Sequence, residues 1–383
     1  HRDLHSFPTR RSSDLNIVLS AKNGIGSSTD AIEARSASPW INSLSLTANN
    51  STIGGIYVDG LSANMDILSV VNNGGDVRLS SAGSMGISEI FSSNNVQLTA
   101  NTIINSLPSA GVNVTANSLT LSAMNGIGLN TESGLLTDVN NLSAYNYGTG
   151  GIRITDIAGD LNVINALASG SGGDVSIISS GNMTLGHVLA FGQGNTATLI
   201  SNTGSIFDGN GNLANITADN IVLSAATGIG AADNFLDMRS ASAFMGNDTL
   251  HVQAANSNSG GIYLNGMSTS SAVPLNFYAD SIVNNGGDVA VTSAGNLWVG
   301  YVEGQDVTLN ALSGFISDAV NDSDLDIKAD MLKLFAYNGI GVNTDLGLII
   351  DAKDLIASTA FNGIKLTRSE EHTSELQSRF GIS

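Results

Sequence analysis

The chain has no cysteine, so disulfides, thiolate zinc sites and cysteine nucleophiles are all excluded. A cysteine-free composition permits export without requiring it. Proline is scarce, with 4 among 383 residues. Lysine and glutamate, which favour helices, are also few, so long amphipathic helices are not expected. No run of about 18 apolar residues occurs, so no helix of this chain is expected to span a bilayer. Only 12% of residues are charged, yet 42% are hydrophobic, which does not fit a disordered chain of the highly charged type. Basic residues are the scarcer sign: 14 Lys and Arg stand against 33 Asp and Glu, a net charge of −19. An acidic surface repels phosphate backbones and anionic lipid, so neither nucleic acid nor a membrane surface is an expected partner. Strong like charge favours solubility in an exported protein.

The two ends differ from the middle. Residues 1–15 and 368–383 are rich in Arg, Glu, His and Ser, whereas the middle is rich in Asn, Gly, Ser, Ala, Leu and Ile. Both ends resemble translated sequencing-adapter DNA, which reads out His1 to Leu15 and Arg368 to Ser378 residue by residue. The start lacks the apolar stretch of a signal peptide. We therefore expect both ends to be artefacts and 16–367 to be a slice of something longer. That slice keeps 9 basic and 28 acidic residues, with His187 and His251 as its histidines.

Gly is abundant, at 44 residues, and the middle repeats itself. Asn23-Gly24-Ile25-Gly26 recurs as Asn125-Gly126-Ile127-Gly128, Thr227-Gly228-Ile229-Gly230 and Asn338-Gly339-Ile340-Gly341, at steps of 102, 102 and 111 residues. Each copy follows a strand-like run: IVLSA from Ile17, LTLSA from Leu119, IVLSA from Ile221 and LKLFA from Leu332. Gly54-Gly55-Ile56, Gly150-Gly151-Ile152, Gly260-Gly261-Ile262 and Asn362-Gly363-Ile364 follow in turn, and Gly-Gly-Asp-Val begins at Gly74, Gly172 and Gly286. These motifs divide the slice into long units near 16–116, 117–218, 219–329 and 330–367. Such self-similarity is the mark of repeat architectures.

Within each unit runs a finer pattern, apolar-x-apolar-x-Ala, for example from Leu44, Val96, Leu119, Leu250 and Val307. Strict alternation means a strand with one buried face, so Leu119, Leu121 and Ala123 should point inward. Strands begin roughly 18 to 29 residues apart, separated by Asn-Gly, Gly-Gly and Ser-Gly turns whose residues tolerate positive φ. A sandwich or barrel has no reason to repeat over about 102 residues in fixed internal order, but a solenoid does, because each coil buries its apolar face only against the next. The expected fold is all-β: a right-handed parallel β-helix of about 20 residues per coil, roughly 17 coils and a rod on the order of 80 Å. Asn and Ser at the corners should stack in ladders that satisfy buried backbone groups.

Ile-x-Leu-x-Ala followed by Asn-Gly-Ile-Gly resembles the repeats of filamentous haemagglutinin-like, two-partner-secretion adhesins. The resemblance covers most of 16–367 and is one of composition and period. It implies a β-helix exported through the outer membrane of a Gram-negative bacterium by an outer-membrane partner, then displayed on the cell surface or released. It transfers no binding or catalytic residue, and the secretion domain of that family is not recognisable here.

Several groups invite a chemical reading. Asp318, Asp322, Asp324 and Asp326 form an acidic cluster with the residue types of a carbohydrate or Ca²⁺ site. Asp324 and Asp326 alternate with Leu325 and Ile327, so both are expected to face solvent as an ordinary acidic face. Asp208-Gly209-Asn210-Gly211-Asn212 opens like a Ca²⁺ loop, but Leu213 replaces the glycine expected sixth and Asp219 the glutamate expected twelfth. A Gly/Asn turn is the simpler reading. Asp76, Asp174 and Asp288 recur at equivalent places, as expected of aspartates that hydrogen-bond turn backbone. His251 sits on an outward strand position and His187 follows Gly186, far apart and without Cys, which suits neither a metal site nor a triad. Trp40, Tyr57, Tyr145, Tyr147, Tyr263, Trp298 and Tyr301 could stack on sugars. Tyr57 and Tyr263 share a place where the second unit has Arg153, which fits a surface strand position better.

No catalytic, cofactor-binding or metal-ligating residue is assigned. The expected function is a non-enzymatic stalk of a secreted or surface-displayed adhesin that contacts glycans or proteins of host or neighbouring cells. Two alternatives remain: a carbohydrate-active β-helix enzyme, and a delivery stalk for a toxin lying beyond this segment. An enzyme should show a groove where carboxylates converge with a basic residue; a stalk should show scattered charge.

Overall fold

The computed structural model describes residues 15–35, 43–61, 64–107, 111–170, 172–246, 248–268 and 274–369. The adapter-like ends therefore lie outside the described residues except for Leu15, Arg368 and Ser369, and Trp40 also lies outside them.

Alternating sequence becomes strand as expected. In Val77–Ser81 the residues are alternately buried and part-buried, with Val77 and Leu79 inside. Leu119, Leu121 and Ala123 are at most 1% exposed, as the alternation requires. The chain is 59% strand, with a single short 3₁₀ turn at Ser242–Met245 and no α-helix among the described residues. Accordingly, no helix among them is long and apolar enough to cross a membrane.

The strands pair in parallel with segments one coil away. Ser43–Asn50 pairs with Asn64–Asn72, and Val77–Ser81 with both Ile56–Gly60 and Asn95–Thr99. The only antiparallel contact among the described residues is an isolated bridge between Ala231 and Asn234. The result is a parallel β-solenoid. One coil shows its three faces: Val77–Ser81, then Ser84–Ile87, then Ile90–Ser92, after which Asn95–Thr99 stacks on Val77–Ser81. Elsewhere two faces run together through a bulge, as in Asn64–Asn72, which pairs with both Ser84–Ile87 and Ile90–Ser92. A coil takes about 23 residues rather than the expected 20, so there are fewer coils than the expected 17. The difference lies in loops inserted between strand halves, such as residues 129–134 and 209–214.

Stacking these coils makes one continuous core, mostly Leu, Ile, Val and Ala with four methionines and Phe277, running from Ile25 to Ile350. Each fully buried aliphatic side chain contributes about 1.5–3 kcal/mol, and no segment needs a separate globule.

The long repeat has a geometric meaning that its period alone does not reveal. Ile25 stacks on Ile56, then Val77, Val96 and finally Leu119, which begins the next unit's LTLSA run. Likewise Ile127 runs through Ile152, Val175 and Ala197 to Ile221. Ile229 runs through Ile262, Val289 and Val307 to Leu332. Four turns thus carry each Asn-Gly-Ile isoleucine to the next unit's strand, and the next copy of the motif lies one face further on. A long unit is about four and a third turns, so equivalent residues spiral around the rod.

The glycines of the motif are conformationally required. Gly24, Gly126, Gly228 and Gly339 have φ of 111°, 108°, 136° and 111°, a region L side chains avoid. A Cβ on Gly128 or Gly341 would lie about 2 Å from the carbonyl oxygen of Arg153 or Lys365 on the next coil.

Candidate functional site

Asn closes the interior at the corners. Asn50, Asn72, Asn146, Asn256 and Asn284 end inward-facing strands and are at most 3% exposed. The Asn72 amide donates to the carbonyls of Gly75 and Asp76 at 2.8 and 2.9 Å, and accepts from the amide of Asn50 at 2.9 Å. Asn256 and Asn284 repeat the link at 2.9 Å. These are the expected corner ladders; they satisfy turn backbone that would otherwise be buried unpaired.

The repeated Gly-Gly-Asp motif also serves backbone, but that of the next coil. Asp76 accepts from the N–H of Asn95, Asp174 from Thr196 at 2.8 Å and Asp288 from Asp306. The tyrosines after Gly-Gly-Ile are placed by the preceding glycine: a Cβ on Gly55 or Gly261 would lie 2.3 or 2.2 Å from the ring of Tyr57 or Tyr263. Tyr57 lies under Arg78, and Tyr263 against Phe235. Arg153 fills that place in the second unit and donates to the carbonyl of Thr131.

The Asp208 segment forms a self-contained turn. Asp208 Oδ1 accepts from the N–H groups of Asn210 and Gly211 and from the Asn215 amide, at 2.7, 3.1 and 2.6 Å. Asp219 is engaged elsewhere, accepting from Ser240, Ser242 and the Gly194 N–H. No group of three or more His, Asp or Glu among the described residues is arranged to hold a metal ion.

The acidic cluster requires a correction. Asp324 is exposed, as expected, but Asp326 and Asp318 are each only 3% exposed. The coil turns a corner here, so Asp326 and Ile327 are both buried and the alternation that would place Asp326 outside fails. Asp326 Oδ2 accepts the N–H of Ile349 on the next coil at 2.7 Å. Burial, reinforced by the charges of Asp318, Asp322 and Asp324, pushes its carboxyl up to about 7.

The histidines are separate. His187, on Met183–Ala190, is half-buried; burial, and then the nearby Arg239, hold it below its usual range. His251 pairs with Asp280 at 3.1 Å and stacks on Tyr278 at 4.5 Å. Tyr278 stacks on Trp298 at 5.7 Å, and Phe315 meets Trp298 edge-on at 4.8 Å. This ladder crosses successive coils, following the register His251–Tyr278–Trp298. In sequence its members stand 27 and 20 residues apart, and only the coil register reveals that they meet. Tyr145 and Tyr147 also stack on each other, at 6.1 Å.

A cleft of about 830 Å³ gathers Glu303, Lys328, Asp330, Asp351, Lys353 and Arg368. Acidic and basic groups therefore do converge at one place, against the expectation of evenly scattered charge. Four of them are paired: Lys328 with Glu303 at 2.8 Å and Lys353 with Asp330 at 2.7 Å, while the Tyr301 hydroxyl donates to Glu303 at 2.8 Å. Hydrogen bonds from Lys328 and Tyr301 hold the Glu303 carboxyl below its usual range. Burial, then Glu303, pushes the Tyr301 phenol up to about 12. Both lysines are raised by their carboxylate partners. A glycosidase acid needs the opposite, a carboxyl kept protonated near neutrality.

The fold and these sites define a parallel β-solenoid whose polar groups mainly serve its own backbone. Comparison with known proteins finds no matching family model, no similar curated protein and no similar solved structure.

Proposed function

We propose that the chain is a non-enzymatic stalk segment of a secreted or surface-displayed bacterial adhesin. One observation carries this reading: a single aliphatic core runs unbroken through parallel coils, with the repeated motifs spent on turns and coil-to-coil contacts. Such a rod supplies length and lateral surface. The acidic composition, −19 overall, suits a soluble exported protein and disfavours nucleic acid. Its contacts would be glycans or proteins on host or neighbouring cells, and its export route an outer-membrane partner of a Gram-negative bacterium.

Beads coated with the chain should adhere to epithelial or bacterial cells above albumin-coated beads. Antibody raised against it should label intact producing cells; labelling only after permeabilisation would overturn surface display. The enzyme reading draws on the Glu303–Lys328–Asp330 cleft. Release of reducing ends from a polysaccharide panel, abolished by Glu303→Gln, would replace the stalk with an enzyme.

A further inference from the structure

One buried polar node occurs three times. Asn113, Asn215 and Asp326 stand at equivalent corners, seven or eight residues after Asn105, Asp208 and Asp318. Their backbones behave alike. Each carbonyl accepts an N–H from the preceding coil: Ile90, Val188 and Val302, at 2.7, 2.7 and 2.8 Å. Each N–H donates to the following coil: Leu136, Asp237 and Ile349. Each side-chain oxygen accepts an N–H from those same residues, at 2.8, 2.9 and 2.7 Å.

The remaining side-chain atom is a donor in the first two copies. Asn113 Nδ2 donates to the Ile87 carbonyl at 2.7 Å and to Asn105 Oδ1 at 3.0 Å. Asn215 Nδ2 donates to the Leu185 carbonyl at 2.9 Å and to Asp208 Oδ1 at 2.6 Å. In the third copy the counterpart of Ile87 and Leu185 is Val299, paired with Asp318 as Ile87 is with Asn105 and Leu185 with Asp208. Both side chains of this copy are carboxyls. If its second oxygen takes the place of the amide in the other two copies, an ionised Asp326 would meet two acceptors there with no donor between them. A neutral carboxylic acid has the required O–H.

We propose that Asp326 is the neutral, proton-donating member of this third node, sharing its proton with Asp318 and the Val299 carbonyl, and that the coil junction there loosens when the medium turns alkaline. The charged surroundings agree. On its own loop Asp326 faces Asp318, Asp322 and Asp324. On the flanking coils, Glu303 and Asp351 stand in register with Lys328, one residue past the Ile327 that follows Asp326. The nearby cations are already engaged, Lys328 by Glu303 and Lys365 by the carbonyls of Thr344 and Asp345.

The sign follows from linkage. An acid raised in the fold binds its proton more tightly there than when unfolded. Its contribution is greatest below the ordinary carboxyl range and is lost as pH rises to about 7. In the full chain, Asp326→Asn supplies the amide of the other two copies. Its melting temperature should exceed wild type by at least about 3 °C at pH 8, with the difference closing toward pH 4. A variant no more stable at pH 8, or one shifted equally at both pH values, overturns the proposal. Should that variant not fold, ¹³C-carboxyl NMR of the wild-type chain decides. An aspartate titrating at about 7, with a midpoint that falls in Asp318→Asn, supports it. A spectrum in which no aspartate titrates near neutrality overturns it.

Discussion

Asn72 exemplifies how single residues hold this rod together. Its one amide serves two part-buried turn carbonyls and the buried Asn50 amide beside it. Asn72→Ala would strand these groups, so the chain should lose about 2–3 kcal/mol, read as an earlier urea midpoint. Asp156 is a weaker solution to a similar problem. Its Oδ1 accepts from Thr137 and the Val139 N–H, while Oδ2 is buried without a partner. Burial raises its carboxyl to about 6. The fold thus holds a proton that the unfolded chain has released, so stability falls as pH rises from about 4 to about 6. Asp156→Asn should flatten that part of the pH profile in urea titrations at pH 4 and pH 7.

Each strand is a two-sided element, and its faces should respond differently to charge. Val291 is 1% exposed inside Val289–Ser293, while its neighbour Thr292 lies on the outer side. Val291→Asp places an unpaired carboxylate in the aliphatic core and should cost more than about 4 kcal/mol. Thr292→Asp should stay within about 0.5 kcal/mol. Thermal unfolding followed by circular dichroism separates the two. At the turns, Gly128→Ala combines a φ of 71° with a Cβ pressed against the Arg153 carbonyl, and a lowered melting temperature is expected.

For the whole molecule the coil is the unit of exchange. Stability in such an array is a sum over neighbours, so removal of one complete turn should be tolerated and removal of half a turn should not. Val175 stacks on Ala197, and deletion of residues 175–196 brings the next rung into the same place. That variant should keep its β-type dichroism at a reduced melting temperature; a deletion of half that length should lose it. Small-angle scattering should give a rod with a long dimension on the order of 65 Å from coils stacked about 4.8 Å apart. Because long units advance by a third of a turn, any feature shared by all of them winds around this rod and forms no straight stripe.

The alternation of Leu119, Leu121 and Ala123, the Asn-Gly turns and the long period were enough to read a parallel solenoid, because side-chain period and turn chemistry are local properties of the chain. That Asp76 and its copies serve backbone was legible for the same reason, but the backbone they serve lies one coil on and not in their own turn. What only the tertiary structure decided depends on which residues meet one coil apart. Loop insertions set that distance, and corners interrupt the alternation. Hence Asp326 proved buried where its neighbours suggested solvent. His251, Tyr278 and Trp298 proved to be stacked, and Glu303, Lys328, Asp330 and Lys353 proved to share one cleft. None of these encounters is written in any single stretch of sequence, because each joins segments about 20 to 30 residues apart whose register the folded coil alone sets.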